Sequence, residues 1–276
     1  MKRVLVPCSR GNEVTDGTRN IYLQFSVLTH NVLAQCLVRR ALFPYCASNV
    51  LKEKFRTQRL LSDILRLRPN VAVLQEVDGF ASRWAPRLQQ AGYDWVYALK
   101  DASAPKGHGL CVAWQRAVFS REMYFTAAFD GLVEPTSVSP ATGNIFQLVA
   151  LRFLAPRGDP VPVDLNLDLA GSSSEDSSSR TDEDVNRFAL LDSPASELPA
   201  DQILDEEPYG IVITNSHLFW NPSGHYERLR QTYVLLHEAV EFQKALVTSL
   251  GTTLDHWPLM VAGGSDNFLN NHMYTD

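Results

Sequence analysis

The most informative stretch of this chain is Val73-Leu-Gln-Glu-Val-Asp-Gly79, which comes after Thr29-His-Asn-Val-Leu-Ala-Gln35. Glu76 closes an apolar run that begins at Asn70 and reads as a buried strand entered through Arg68-Pro69. A carboxylate at the end of such a strand stands at the rim of a sheet. Buried carboxylates are costly unless they are paired or metal-bound. The stretch therefore indicates a site at this rim that can hold a divalent metal.

The composition is that of a globular protein with a substantial core. The chain has 276 residues, of which 45% are hydrophobic and 10% aromatic. No run approaches 18 apolar residues, and the apolar stretch near Met1 is too short for a secretory signal, so we expect no membrane association. The four cysteines have no CxxC spacing, which predicts reduced thiols and no zinc site. We expect an intracellular protein, cytoplasmic or nuclear.

The charge is distributed unevenly along the chain. Residues 155–208 hold 14 Asp and Glu against 3 Arg, a balance of −11, and the remainder carries 22 basic against 17 acidic residues, or +5. A basic body favours a partner that carries phosphate. The acidic stretch includes the serine-rich run at 171–180, which cannot bury enough surface to offset its ordering entropy. We predict a disordered acidic insertion at 155–207 that interrupts one domain spanning 21–276, after an N-terminal extension at 1–20.

Hydrophobic periodicity predicts alternating strands and helices. The predicted strands are 25–31, 71–75, 93–99, 110–115, 117–125, 145–153, 209–215 and 258–262. The predicted helices are 49–67, 80–91 and 223–250. In the last helix, an apolar stripe predicts the core-facing side: Tyr226, Leu229, Tyr233, Leu236 and Val240. This succession indicates a layered α/β domain with two sheets in the middle.

Five motifs occur in one order along the chain: THNVLAQ (29–35), VLQEVDG (73–79), KGHGLCVAW (106–114), TNSHLFWNP (214–222) and RLRQ (228–231). In this order they resemble the endonuclease/exonuclease/phosphatase superfamily. The similarity is greatest to the deadenylase-like branch that includes nocturnin, the Angel proteins and the fungal Ngl-type RNA exonucleases. The resemblance implies a four-layer α/β sandwich, with two central mixed sheets flanked by helices, and Mg²⁺-dependent hydrolysis of phosphate esters, with Mn²⁺ as an alternative metal.

The resemblance also implies roles for individual residues. Glu76 is the implied metal ligand, Asn31 positions metal and phosphate, and His217 stabilises charge on the phosphate in the transition state. The implied substrate-binding residues are Lys106, His108, Asn144 and Asn221. One carboxylate can suffice, because Mg²⁺ keeps several waters and also binds the substrate phosphate.

Each assignment has a structural alternative. Glu76 could pair with an arginine, Asn31 could cap a turn, and His217 could be a hydrogen-bonded core histidine. Lys106 and His108 could belong to a solvated turn.

The C-terminal motifs depart from the family pattern. The family has a Gly-Asp-Phe-Asn turn, whereas this chain reads Gly263-Gly-Ser-Asp-Asn-Phe268, which places Asp266 directly before Asn267. Asp266 is the candidate for positioning the attacking water. The family's terminal Asp-His pair has no counterpart, and His272 is a poor substitute. From this we expect a sandwich that is incomplete at the C-terminus, through an alternative transcript, a gene-model error or a degenerate copy.

The predicted function is a Mg²⁺-dependent phosphodiester hydrolase, a 3′-exonuclease of the deadenylase type. Its expected substrate is single-stranded RNA, including poly(A). Two alternatives stay open: a phosphatase that acts on a phosphorylated dinucleotide, and a truncated pseudoenzyme that binds RNA or a protein without hydrolysis.

Overall fold

The computed structural model describes residues 25–101, 107–132, 141–154 and 208–263. Two predictions concern segments outside these residues, the extension at 1–20 and the acidic insertion at 155–207. In the part that is described, no helix combines the length and apolarity needed to cross a membrane.

Within the described residues, eight strands form two four-stranded mixed sheets. The first sheet has the order β1-β2-β4-β3 and consists of β1 (Val27–Asn31), β2 (Val71–Asp78), β3 (Tyr93–Leu99) and β4 (His108–Gln115). The second has the order β5-β6-β7-β8 and consists of β5 (Phe119–Ala128), β6 (Ile145–Phe153), β7 (Gly210–Ser216) and β8 (Leu259–Met260). The pairs β1–β2 and β7–β8 are parallel, and the other pairs are antiparallel.

Three apolar clusters define four layers. In β2, Val71 and Val73 point into the space between the sheets, where they join residues such as Val149 of β6. Ala72 and Leu74 point to the other side, where they pack against the helices. This alternation is the period of two that a β-strand imposes on its side chains. A third cluster lies between the second sheet and its helix. The predicted α/β sandwich of two mixed sheets with flanking helices is confirmed.

The helices are α1 (Glu53–Leu67), α2 (Ala85–Gln90) and α3 (His225–Leu250). The prediction that the first helix begins at Asn49 is wrong, because Ser48–Leu51 is a separate 3₁₀ turn and Lys52 is extended. The second helix also begins later than predicted, since Phe80–Trp84 is a wider π turn. The strands 93–99 and 145–153 have the predicted bounds, and each of the others differs from its prediction by one to three residues at one or both ends.

The prediction for the core face of α3 is wrong. The predicted stripe faces solvent, with exposed fractions of 59% for Tyr226, 67% for Leu229 and 66% for Tyr233. Leu236 and Val240 lie on the same exposed side. The buried side consists of Glu227, Gln231, Val234, Leu235, Ala239, Phe242 and Leu246. Two polar residues belong to this side because their hydrogen bonds are satisfied in the interior, as described below.

Candidate active site

A bulge in β2 directs the buried side chain of Glu76 away from the apolar clusters and towards the end of β1. The ladder between β2 and β4 changes register between Leu74 and Val77, and Glu76 has a φ of 57°. Leu74 and Val77 both pack in the helix-facing cluster, so the two residues between them break the regular alternation. Positive φ is costly for a residue other than glycine, and bulges beside functional sites commonly re-aim a side chain. Without the bulge, Glu76 would take the place of Val77 among apolar side chains.

The carboxylate of Glu76 is held from two sides and is only 1% exposed. Asn31 Nδ2 donates to Oε1 over 2.8 Å, and the backbone N–H of Ala34 donates to Oε2 over 3.1 Å. His217 Nε2 lies 3.6 Å from Oε1. Asn31 ends β1 and His217 follows β7, so the two sheets contribute to one group. The structure therefore brings together Asn31, Glu76 and His217, which the sequence predicted to act together.

The loop after β1 is fixed by hydrogen bonds around this carboxylate. Asn31 Oδ1 accepts a 2.8 Å hydrogen bond from the N–H of Leu33, which forms a turn stabilised by the asparagine side chain. The Arg56 guanidinium donates to the carbonyl oxygens of Val32 and Leu33. Asp78 accepts a 2.7 Å hydrogen bond from the N–H of Gln35. These contacts fix the backbone that presents Asn31 and the Ala34 amide to Glu76.

A cleft opens beside Glu76 and His217. Lys100, His108 and Asn144 also line it. Lys100 Nζ donates a 2.6 Å hydrogen bond to Asn144 Oδ1. Burial lowers the pKa of the Lys100 ammonium below its ordinary value, and the negative charges of Asp130 and Glu76 oppose this shift. The cleft therefore combines a carboxylate, a cation, an amide and two imidazoles, a combination suited to a phosphate ester and a hard metal ion.

Lys100 is a functional candidate that the sequence analysis missed. It directly follows β3, and its backbone N–H donates to the carbonyl oxygen of His108 in the adjacent strand. The signal was present in the sequence, because a predicted strand ends at Leu99 and the KGH motif follows a few residues later.

The remaining predicted residues differ in their positions. His108 and Asn144 line the cleft, and their substrate-binding role stays a prediction. Asn221 does not line it, and its side chain accepts hydrogen bonds from Ser223 in the turn before α3. Its substrate role stays a prediction. Lys106 and Asp266 lie outside the described residues, as does His272.

The described residues fit a hydrated divalent cation held mainly by Glu76. No cluster of three or more His, Cys, Asp or Glu side chains suited to a metal occurs among them. Mg²⁺ is commonly bound through one or two carboxylates, with water and substrate phosphate completing its coordination. A single buried carboxylate that opens onto a cleft meets this requirement.

The chain belongs to the endonuclease/exonuclease/phosphatase family, whose model matches residues 28–245. The family consists of hydrolases that generally depend on a divalent metal. The match spans the first sheet, strands β5 to β7 of the second sheet and most of α3, and it ends before β8. It confirms the family expected from the five motifs.

Fungal RNA exonucleases are among the relatives. The chain is 28% identical over 240 residues to RNA exonuclease NGL2 of Saccharomyces cerevisiae, covering 85% of this chain and 38% of the relative. It is 25% identical over 248 residues to probable RNA exonuclease C9B6.11c of Schizosaccharomyces pombe, covering 89% of this chain and 37% of the relative. The chain thus spans less than two-fifths of the length of either protein.

A similar solved structure is that of ANGEL2, described as a 2′,3′-cyclic phosphatase. It superposes with a TM-score of 0.56 at 20% identity, covering 87% of this chain and 52% of ANGEL2. This similarity supports the fold assignment.

Proposed function

We propose that the cleft is the active site of a divalent-metal-dependent phosphodiester hydrolase that acts as a 3′-exonuclease on single-stranded RNA. The observation that carries the proposal is the convergence of Asn31, Glu76 and His217 from separate strands at a cleft that also contains Lys100. Two of the relatives are called RNA exonucleases, which favours RNA as the substrate. Poly(A) is one such substrate, and Mg²⁺ is the proposed metal.

The described residues divide the chemistry between them. A cation bound at Glu76 would polarise a phosphoryl oxygen and offset charge on the leaving oxygen. Asn31 and the Ala34 amide hold the Glu76 carboxylate in a fixed orientation. Lys100 supplies positive charge to the phosphate, and His217 donates a hydrogen bond to one of its oxygens. Preorganised groups of this kind supply much of the catalysis in phosphoryl transfer.

The test is incubation of the purified chain with Mg²⁺ and 5′-labelled oligoadenylate, with the products resolved by length. A ladder that shortens from the 3′ end supports the proposal, provided that EDTA and Glu76→Gln abolish it. Glu238→Gln is the matched control, because Glu238 lies on α3 and its carboxylate contacts His237 outside the cleft.

The other outcomes distinguish the alternatives. Release of inorganic phosphate from a phosphorylated dinucleotide, with intact oligoadenylate, would identify a phosphatase. Binding of oligoadenylate without cleavage at any Mg²⁺ concentration would identify a non-catalytic binding protein. Either result would overturn the exonuclease proposal.

A further inference from the structure

Gln231 lies on the buried side of α3 and contacts the loops on both sides of the cleft. Its side-chain oxygen Oε1 accepts a 2.9 Å hydrogen bond from the backbone N–H of Phe219, two residues after His217. The same oxygen accepts a 3.4 Å hydrogen bond from Asn144 Nδ2. Asn144 in turn accepts the hydrogen bond from Lys100. One side chain therefore connects the His217 side of the cleft with the Lys100 side.

The other half of the Gln231 amide is also satisfied. Nε2 donates a 2.9 Å hydrogen bond to Thr142 Oγ1 and a 2.6 Å hydrogen bond to Glu227 Oε1. A glutamine amide has two donor hydrogens and two acceptor lone pairs, and here all four are used. The orientation is determined by chemistry, because the Phe219 N–H can only donate. Gln231 is fully buried, so the loss of these bonds would not be compensated by water.

Glu227, which accepts a hydrogen bond from Gln231, belongs to a network of ion pairs. Arg230 donates to both carboxylate oxygens of Glu227, at 2.8 Å and 2.7 Å, and also to Asp130 Oδ1 at 2.7 Å. The second oxygen of Asp130 accepts hydrogen bonds from the N–H groups of Thr142 and Gly143. This network holds the loop before β6 against α3, and it fixes the orientation of the Glu227 carboxylate on that helix.

We infer that Gln231 is a positioning residue. It sets the distance between the two sides of the cleft, with Asn144 and Lys100 on one side and His217 on the other. This inference rests on the proposed function of the cleft. Gln231 does not line the cleft and acts through the groups that it holds. Misplacement of reacting groups by about 1 Å can reduce a rate by roughly 10²-fold.

The experiment compares Gln231→Met with Gln243→Met. Gln243 is on the same helix, and its amide donates to the carbonyl oxygen of Trp257, away from the cleft. For hydrolysis of oligoadenylate with Mg²⁺, Gln231→Met should lower kcat/KM by about 10²-fold, with both a lower kcat and a higher KM. Gln243→Met should stay within about twofold of the wild type at a temperature where all three proteins are folded. Equal losses in the two variants would reduce Gln231 to a stability role and overturn the inference.

A double-mutant cycle provides a readout that a stability role would not affect. Because Gln231 acts in part through Asn144, the variant with both Gln231→Met and Asn144→Ala should lose less than the product of the two single losses. Full multiplication of the losses would contradict the inference. If Gln231→Met does not fold, Thr142→Val removes one acceptor of the Gln231 amide and should lower kcat/KM in the same direction. An unchanged kcat/KM in that variant would also contradict it.

Failure of the proposed function is recognised separately. If the wild type does not hydrolyse oligoadenylate, the exonuclease proposal fails, and binding of adenosine 5′-monophosphate to the same variants tests the positioning role. Weaker binding by Gln231→Met than by Gln243→Met supports the inference, and equal dissociation constants overturn it.

Discussion

Asn31 donates a 2.8 Å hydrogen bond to the carboxylate of Glu76, although the two residues are 45 positions apart in the chain. The parallel pairing of β1 with β2 explains the contact, because Asn31 lies opposite Gln75, the residue before Glu76. The bulge then turns Glu76 towards the end of β1. A strand pairing and one irregular residue together create the centre of the site.

Replacement of Glu76 by Gln should abolish Mg²⁺-stimulated hydrolysis, because a neutral amide is a poor ligand for a hard divalent cation. Gln would also place an NH₂ group against Asn31 Nδ2 or the Ala34 N–H, at a cost of about 1–3 kcal/mol in stability. Activity across a Mg²⁺ titration, together with a thermal melting curve, measures both effects. Wild-type turnover in the folded variant would disprove the metal-ligand assignment.

Lys100 predicts a pH dependence of phosphate binding. Burial depresses the pKa of its ammonium group, so it loses its charge at a lower pH than an ordinary lysine. Binding of adenosine 5′-monophosphate without metal should therefore weaken as pH rises through this lowered pKa. Calorimetric titrations from pH 7 to pH 10 measure the effect, and Lys100→Met should bind weakly at every pH. A wild-type profile parallel to that of Lys100→Met would show that Lys100 does not contact the phosphate.

The lowered pKa of Lys100 also affects stability: phosphate binding should weaken as pH rises, whereas the free energy of unfolding should increase. The unfolded chain binds the Lys100 proton more tightly than the folded chain, because the folded-state pKa is the lower one. Stability should consequently rise with pH between the folded and unfolded pKa values. Urea unfolding of the wild type and Lys100→Met across this window measures the contribution, which the variant should lack.

Substitution of Asn215 should cause a large loss of stability, because its side chain joins the two sheets by buried hydrogen bonds. Its Nδ2 group donates to the carbonyl oxygens of Leu74 and Cys111 and to Gln147 Oε1, and its Oδ1 accepts from Gln75 Nε2. Asn215→Ala removes these four buried hydrogen bonds, at an expected cost of roughly 3 kcal/mol or more. Chemical denaturation measures this cost.

Asn221→Ala is the control for that measurement. Asn221 bonds within an exposed turn, and its replacement should cost about 1 kcal/mol or less. Similar losses for Asn215→Ala and Asn221→Ala would mean that the buried contacts contribute little.

The orientation of α3 can be tested with two leucines. Leu235 is 3% exposed and lies in the core, whereas Leu229 is 67% exposed. Leu235→Ala should lower the free energy of unfolding by about 2–5 kcal/mol. Leu229→Ala should change it by about 0.5 kcal/mol or less. If urea unfolding showed a larger loss for Leu229→Ala than for Leu235→Ala, the apolar stripe predicted from the sequence would be the buried face.

In α3, hydrophobic periodicity predicts a helix but does not show which of its two faces is buried. Both faces carry large apolar residues, so a stripe at helical spacing does not identify the buried side. From composition alone, the polar residues Glu227 and Gln231 would predict that their side of the helix is exposed, whereas it is buried. They are buried because Arg230 pairs with Glu227 and because the loops around the cleft bond to Gln231.

Sequence patterns were enough to predict the strands to within three residues at each end, and to predict the family, because both depend on local alternation and on short motifs. They also identified Asn31, Glu76 and His217, which the structure brings together. The bulge at Glu76 and the contacts of Gln231 became apparent only in the tertiary structure, as did the contact of Lys100 with Asn144, although the sequence already placed Lys100 at the end of a strand. These depend on register and on contacts between segments far apart in the chain, and a one-residue change of register sends a side chain to the opposite face of a sheet.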